Sequence, residues 1–426
     1  MGLQADGVTF RSYVYFWSGQ LVSLFGSSVS QFVIIWWITL ETGSALFLSL
    51  AAFLGLAPSV VLSPFAGVFV DRWSRRLLIG VADFLQALAT VVLIVLFWFG
   101  FASIWWVLVI LTFKGVMQAF HYPAVSAITP LMVPKERLSR MNGLSYLLSG
   151  AVNMVGPVVA AVLLAVARVQ DILWVDALTF MVAVVPLLLI VIPSIRGDGA
   201  KSSFRSDFME GFGFIRNAKG FLTVMVVATA LNFLLTPLST LLPYFVKFDH
   251  LGGAPDLAFV MVFFQGGILA GGLLMTVVSG FRNKMVAVTV SIYVIFLGYV
   301  LFALTPTGMF WFMAVAAVVL AFCLPIANVL LQTIMQVVVP LEMQGRVNSV
   351  SSGLSSAATP VGMILSGVIV VFVDTAYLFL ACAVAGLLVL TVSWFFTDFR
   401  HVEKIEPANV VKKETGDSDL RSASEP

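Results

Sequence analysis

Residues 45–98 read ALFLSLAAFLGLAPSVVLSPFAGVFVDRWSRRLLIGVADFLQALATVVLIVLFW, and this stretch decides the kind of fold that the chain can adopt. Two long apolar runs flank one charged segment, Asp71–Arg76. A helix needs roughly 20 apolar residues to cross the hydrocarbon core of a bilayer, and each run is at least that long. The stretch therefore predicts a pair of membrane-spanning helices joined by a short charged loop.

The whole chain has the same character. Of its 426 residues, 60% are apolar and only 10% are charged, whereas a soluble domain carries about a quarter charged residues. A mean hydropathy of +1.05 would leave an apolar surface on a water-soluble fold of this size, so lipid must be the solvent of most of the chain. A membrane β-barrel needs short segments of alternating polarity, and the unbroken apolar runs exclude it.

We therefore predict an all-α integral membrane protein with twelve transmembrane helices. The predicted spans cover residues 12–40, 44–70, 77–99, 103–132, 140–167, 171–194, 221–246, 256–280, 284–304, 308–338, 345–373 and 375–397. The longest internal polar stretch divides them six and six, which predicts four segments. These are an N-terminal six-helix bundle (1–195), a cytoplasmic linker (196–220), a C-terminal six-helix bundle (221–397) and a disordered cytoplasmic tail (398–426).

The distribution of Lys and Arg predicts the orientation in the membrane. One alternate set of loops holds 14 cations, and the other set holds only Arg168 and Lys247. Because cytoplasmic loops carry an excess of Lys and Arg, we expect the first set in the cytoplasm. An even number of spans then places both termini there, in a multi-pass protein of the plasma membrane.

The two halves of the chain resemble each other. The segment that begins at Val133-Pro134 and the one that begins at Val339-Pro340 share Val, Pro, Glu, Arg and Asn at a constant offset of 206 residues. Both segments fall between the fourth and fifth span of their half. Repeated six-helix halves are a common way to build a central site that opens alternately to each side of a membrane.

The charged loop after the second span carries a recognisable pattern. It contains Gly67, Asp71, Arg72, Arg75 and Arg76, and it resembles the signature G-x-x-x-D-R-x-G-R-R/K of the major facilitator superfamily. Ser74 stands where that signature often has Gly. The resemblance implies a cytoplasmic gate that latches when the two halves close and breaks when they rock apart. A loop that is merely basic on the cytoplasmic side is the alternative.

Further motifs resemble the drug:proton antiporter branch of that superfamily, which is typified by macrolide efflux proteins. They are Gly19-Gln20, Ala82-Asp83, Phe120–Ala124 and the fifth-span residues Gly150, Gly156 and Pro157. The last three are expected to serve close helix packing. The resemblance implies export of macrolide-like or other amphipathic molecules, coupled to inward proton flow. We expect the protein to work as a monomer in the lipid bilayer and to need no cofactor.

Three ionisable residues lie well inside predicted spans: Asp83, Lys114 and Asp176. Charges at that depth are costly and normally face the protein interior or a wet cavity. We predict that Asp83 carries the proton and that Lys114, as a nearby cation, tunes its protonation. The alternative is a static ion pair. For Asp176 we expect a structural hydrogen bond.

Neutral polar residues in several spans are candidates for the lining of a substrate cavity. In the first span the spacing of Gln20, Ser23, Ser27 and Gln31 puts all four on one helix face, and in lipid such a stripe must turn inward. The other candidates are His121, Asn232, Asn328 and Gln332. Hydrogen bonding between helices is the alternative role for these residues.

Other classes of function lack their motifs. The sequence has no G-x-x-x-x-G-K-S/T loop, and its three His, at positions 121, 250 and 401, are too scattered for a metalloenzyme. No basic stripe suits nucleic acid, so we expect neither an enzyme nor a metal site nor a nucleic-acid partner. The remaining alternatives are an exporter of a native metabolite, such as a siderophore or a lipid-like compound, and a receptor or scaffold that transports nothing.

Overall fold

A computed structural model describes residues 7–190, 209–210, 212–215, 220–278 and 280–404 of the chain. Within these ranges, twelve helices are long and apolar enough to cross a membrane, as predicted. They are α1 (Gly7–Thr42), α2 (Ala45–Arg72), α3 (Arg75–Trp98), α4 (Ile104–Ser126), α5 (Lys135–Val166), α6 (Val169–Leu189), α7 (Phe221–Tyr244), α8 (Ala254–Val277), α9 (Lys284–Ala303), α10 (Phe310–Val338), α11 (Leu341–Val370) and α12 (Thr375–Phe396).

Most helix boundaries lie close to the predicted ones. Differences of about five residues occur at the start of α1, at the ends of α4 and α6, and at the starts of α5 and α11; the last two have a common reason. Helices α5 and α11 begin at Lys135 and Leu341, about one turn before the apolar runs that mark their spans. Each follows a proline, Pro134 or Pro340, which occupies the position just before the first helical residue. Apolar character marks only the part of a helix in lipid, whereas the hydrogen-bonded backbone continues into the headgroup region.

The packing of helices repeats with a shift of six. In the first half, α1 packs on α5 and α6, α2 on α4, and α3 on α4 and α6. In the second half, α7 packs on α11 and α12, α8 on α10, and α9 on α10 and α12. The halves meet through α2 against α11 and through α5 against α8, which the repeat makes equivalent to each other. The internal duplication seen in the sequence is therefore a duplication of architecture.

Small residues allow close approach at these contacts. A Cβ atom added to Gly150 would lie 2.5 Å from Leu269 of α8, and one added to Gly367 would lie 2.5 Å from Ser49 of α2. Gly156 instead serves packing inside the first bundle, because a Cβ there would lie 2.8 Å from the Cβ of Ser28. Its neighbour Pro157 is buried within α5.

The two faces of the molecule differ in charge. One face, called the basic face below, carries Arg75, Lys135, Arg282 and Arg346 at or near helix ends.

Much of the predicted linker, 196–220, lies outside the described residues, but residues 212–215 are helical, and Phe214 and Ile215 are buried in the main core cluster.

The packed part of the chain also extends beyond the last span. Residues Asp398–Lys404 form a 3₁₀ helix whose Phe399 and Val402 are buried in the same core cluster as Phe214 and Phe221. Apolar side chains at these two positions give the segment something to bury, which is why it stays packed although it belongs to the predicted tail. The rest of that tail lies outside the described residues.

Candidate functional site

The interior charges of the protein converge between four helices of the first bundle. Asp83 on α3 and Asp176 on α6 are 7% and 6% exposed, and Lys114 on α4 faces them, with α1 adjoining. Lipid offers no partner to a charge, so helices that carry such residues pack with their polar positions turned toward one another. The result is two separate clusters of residues, each centred on one carboxylate. One cluster lies deeper than the other when depth is measured from the basic face.

The deeper group is centred on Asp176. Lys114 Nζ lies 3.1 Å from Asp176 Oδ2, and the same oxygen accepts a 2.8 Å hydrogen bond from the hydroxyl of Thr90. Ser27 donates to the other oxygen, Oδ1, at 2.8 Å, and Lys114 also donates to Thr90 Oγ1 at 3.1 Å. A cation and two hydroxyl donors therefore compensate the charge of this carboxylate.

The shallower group is centred on Asp83. His121 Nε2 lies 2.9 Å from Asp83 Oδ1, and Gln20 donates its amide Nε2–H to Oδ2 at 3.3 Å. The imidazole approaches as a charge partner but not in line for a well-directed hydrogen bond. A carboxylate beside an imidazole and a neutral amide is a group whose net charge depends on protonation of the histidine.

The two groups share one small cavity. Its volume is about 30 Å³, and its lining includes both carboxylates and the Lys114 amine. The other lining residues are Ser23, Ser27, Gln86, Ala87 and Phe180. This volume holds roughly one or two water molecules, which makes it a place for water or a proton and far too small for a macrolide.

The structure brings most of the predicted interior residues together, but it pairs them differently from the prediction. Lys114 contacts Asp176 rather than Asp83, and the partners of Asp83 are His121 and Gln20. The reason is depth. Counted from the helix ends on the basic face, Lys114 lies 12 residues in, Asp176 lies 13 residues in, and Asp83 only 8.

A sequence signal for this pairing exists and was missed. Asp83 and Thr90 are seven residues apart on α3, and Lys114 and His121 are seven residues apart on α4. Seven residues make two helical turns, so each pair shares one face. Because α3 and α4 run antiparallel, the two faces match only when Asp83 meets His121 and Thr90 meets Lys114.

The neutral candidates separate into two sets. Ser23 and Ser27 line the small cavity, and Gln20 binds Asp83. Gln31 on α1 is exposed and is not part of that cavity lining. The side chains of Asn232, Asn328 and Gln332 are also exposed, on α7 and α10 of the second bundle, and Asn232 donates to the Ala228 carbonyl of its own helix.

Part of the predicted gate motif can be placed. Gly67, Asp71 and Arg72 belong to the last part of α2, where the side chains of Asp71 and Arg72 are outside the described part of the structure. Arg75 and Arg76 are half-buried at the start of α3. The Arg76 guanidinium donates a hydrogen bond to the carbonyl oxygen of Leu188, near the end of α6 on the basic face. This contact ties α3 to α6 within the first bundle.

Twelve spanning helices in two equivalent six-helix bundles, with buried charges and a polar cavity in the first, define a polytopic protein of the membrane-transporter class. Comparison with known proteins narrows that class. The family model described as Major Facilitator Superfamily matches residues 16–360 and 294–423, and the chain belongs to that superfamily.

The similar proteins are transporters, not enzymes. The chain is 30% identical to macrolide efflux protein A of Streptococcus pyogenes over 92% of this chain and 96% of that protein. It is 25% identical to the multidrug efflux pump Tap of Mycolicibacterium fortuitum, over 89% of this chain and 94% of the pump. Its fold resembles a crystal structure of the nucleoside transporter NupG, with a TM-score of 0.68 at 13% identity over 89% and 98% of the two chains.

Proposed function

We propose that this protein is a proton-coupled secondary transporter that exports macrolide-like amphipathic molecules by alternating access. The observation that carries the proposal is the pair of buried carboxylates that share one water-sized cavity in the first bundle. Buried ionisable groups in a membrane are expensive and mark ion or proton paths. The similarity to macrolide and multidrug efflux proteins supports the class of substrate.

The proposed route of the substrate is distinct from the proton site. The small cavity excludes a macrolide, so the substrate would pass between the bundles. We assign to this route the exposed amides of Asn232, Asn328 and Gln332, which offer neutral hydrogen-bonding groups. Neutral amides beside apolar side chains suit a large amphipathic molecule, because they orient its polar groups without requiring a charge on it.

The proposed orientation follows from the basic face. Its Lys and Arg residues place it in the cytoplasm of a plasma-membrane protein, with both chain ends on that side. Asp83 lies 8 residues from the start of α3 on this face, or roughly 12 Å at the usual rise of a helix. A proton that enters from outside would thus be released close to the cytoplasm.

The test is a comparison of drug susceptibility in a macrolide-sensitive bacterium that expresses the protein. Expression should raise the inhibitory concentration of macrolides, and a protonophore should abolish the accompanying drop in cellular drug content. Asp83→Asn should lose this protection, because an amide cannot carry the proton. Asp171→Asn, at an exposed aspartate in the first turn of α6, is the matched control and should retain it.

The outcomes separate the alternatives. Unchanged macrolide susceptibility together with uncoupler-sensitive efflux of a siderophore or lipid-like compound would assign a native metabolite as the substrate. A protein that binds these compounds but moves none of them would be a receptor, and the proposal would be wrong.

A further inference from the structure

The two carboxylates of the cavity differ in the kind of partner that each one has. Asp176 is paired with the amine of Lys114 at 3.1 Å. Asp83 is paired with His121, and imidazole is the one side chain whose charge ordinarily changes between about pH 5 and 8. Both side chains of this second pair are largely buried, with 16% exposure for His121 and 9% for Asp83.

This difference gives the two groups different electrical behaviour. The Lys114–Asp176 pair has no net charge and needs no proton to stay buried. The other group, formed by Gln20, Asp83 and His121, has a net charge of minus one when the imidazole is neutral. It has no net charge when the imidazole is protonated. Gln20 donates its amide to Asp83 Oδ2 in either state and keeps the carboxylate in place.

We propose that His121 and Asp83 act together as the proton-carrying unit, with the proton held on the imidazole and the carboxylate as its fixed counter-ion. This inference rests on the proposed function and deepens it, since it moves the titrating group from a lone carboxyl to an imidazole. The chemistry is one reversible step. A neutral imidazole and a carboxylate take up one proton to give an imidazolium–carboxylate pair, and release of that proton restores the first state.

The net charge of the unit explains how a proton would control access. An uncompensated charge inside a membrane protein is strongly unfavourable, whereas a paired and hydrogen-bonded one is much less so. The loaded unit can therefore be sealed from water. The unloaded unit, with its net negative charge, is stable only while water reaches it, so the empty unit favours an arrangement that is open to one side.

Among the described residues, the titratable groups that line the cavity together with Asp83 are Lys114 and Asp176, and the charges of these two balance each other. From α1, Ser23 and Ser27 line the cavity, and Gln20 donates a hydrogen bond to Asp83. Helix α2 packs on α4. Its residues Ala45–Ser63 include no titratable side chain. Arg76 at the start of α3 is hydrogen-bonded to a backbone carbonyl of α6.

The test measures the pH dependence of transport by the full-length protein in proteoliposomes, with erythromycin as the probe. The wild-type rate should change with a midpoint in the range of imidazole. His121→Gln should remove this pH dependence, because the imidazole that takes up and releases the proton is then absent. The matched control is the same substitution at His250, the other described buried histidine, which lies just beyond α7; it should leave the midpoint in place.

A second measurement follows the proton directly. Addition of erythromycin to the purified protein in weakly buffered detergent should release protons near neutral pH from the wild type. Neither Asp83→Asn nor His121→Gln should release them. His121→Lys serves as the second variant. It keeps a permanent cation beside Asp83, so it should bind erythromycin, yet release no proton and show no midpoint in this range.

The results distinguish the inference from the proposed function. If Asp83→Asn abolishes proton release while His121→Gln retains it with an unchanged midpoint, the carboxyl works alone. The inference is then overturned and the proposed function stands. If the wild type transports erythromycin without any pH dependence and releases no proton, the proton-coupled function itself is wrong.

Discussion

Replacement of Lys114 by methionine tests whether the deeper ion pair holds the first bundle together. The variant keeps most of the length of the side chain and removes its charge. Asp176, which is 6% exposed, then stays buried with two hydroxyl donors but without a cation. Breaking one partner of a buried ion pair typically costs about 3–5 kcal/mol. Because Lys114 retains 20% exposure, we expect the lower end, a loss of about 3 kcal/mol in the free energy of unfolding.

The assay is reversible unfolding in mixed micelles with increasing sodium dodecyl sulfate, followed by circular dichroism. Three further proteins complete the design. Asp176→Asn alone strands the lysine and should also destabilise. The double variant Lys114→Met/Asp176→Asn has no uncompensated charge and should recover most of the loss. Lys135→Met, at an exposed lysine in the first turn of α5, should stay within about 0.5 kcal/mol of the wild type.

Two results would refute this reasoning. A cost below about 1 kcal/mol for Lys114→Met is what a surface pair gives, and it would mean that water screens the pair despite its depth. A double variant as unstable as the single ones would mean that the loss comes from packing or from the hydroxyl network rather than from charge.

Two further predictions concern packing and pH. Gly156→Ala should lower the free energy of unfolding by about 1–3 kcal/mol, because its Cβ would collide with Ser28. Gly143→Ala in the same helix meets open space and should be neutral or slightly stabilising. The unfolding midpoints of the two variants check this. Burial lowers the pKa of His250, more than its hydrogen bond to the Pro306 carbonyl raises it, so the unfolded chain binds more protons. Stability should therefore be full above about pH 6.5 and fall as the pH drops below it, and His250→Gln should flatten that slope in unfolding curves recorded at several pH values.

The fold could be predicted from the sequence because one physical quantity dominates it. Runs of apolar residues long enough to cross a bilayer fix the number of helices, and the repeat around Val133 and Val339 fixes their division. The ends of α5 and α11 were misplaced because their first turns are polar. In this region the backbone, rather than the hydropathy, continues the helix.

The site could be predicted only in part. Burial cost identifies Asp83, Lys114 and Asp176 as interior groups from the sequence alone. It does not say which of them meet, because that depends on the depth of each residue and on the rotation of its helix. Lys114 and Asp176 lie at nearly equal depth, while Asp83 meets the histidine two turns further along α4. The importance of His121 appears only once these depths are compared.

The internal repeat supports a functional reading of the interior charges. The offset of 206 residues brings the start of α4 onto that of α10 and the start of α6 onto that of α12. At the positions equivalent to Lys114 and Asp176, the second bundle has Leu320 and Cys382.

The same helix packing is thus built in the second bundle without these charges, so the architecture does not require them. A buried ion pair seldom stabilises a fold more than apolar residues of similar size would. The first bundle keeps buried charges that the fold does not need, and burying them costs free energy. The movement of a charge through this bundle explains best why they are there. This argument supports the proposal that the first bundle carries the proton and that the second supplies neutral groups to the substrate.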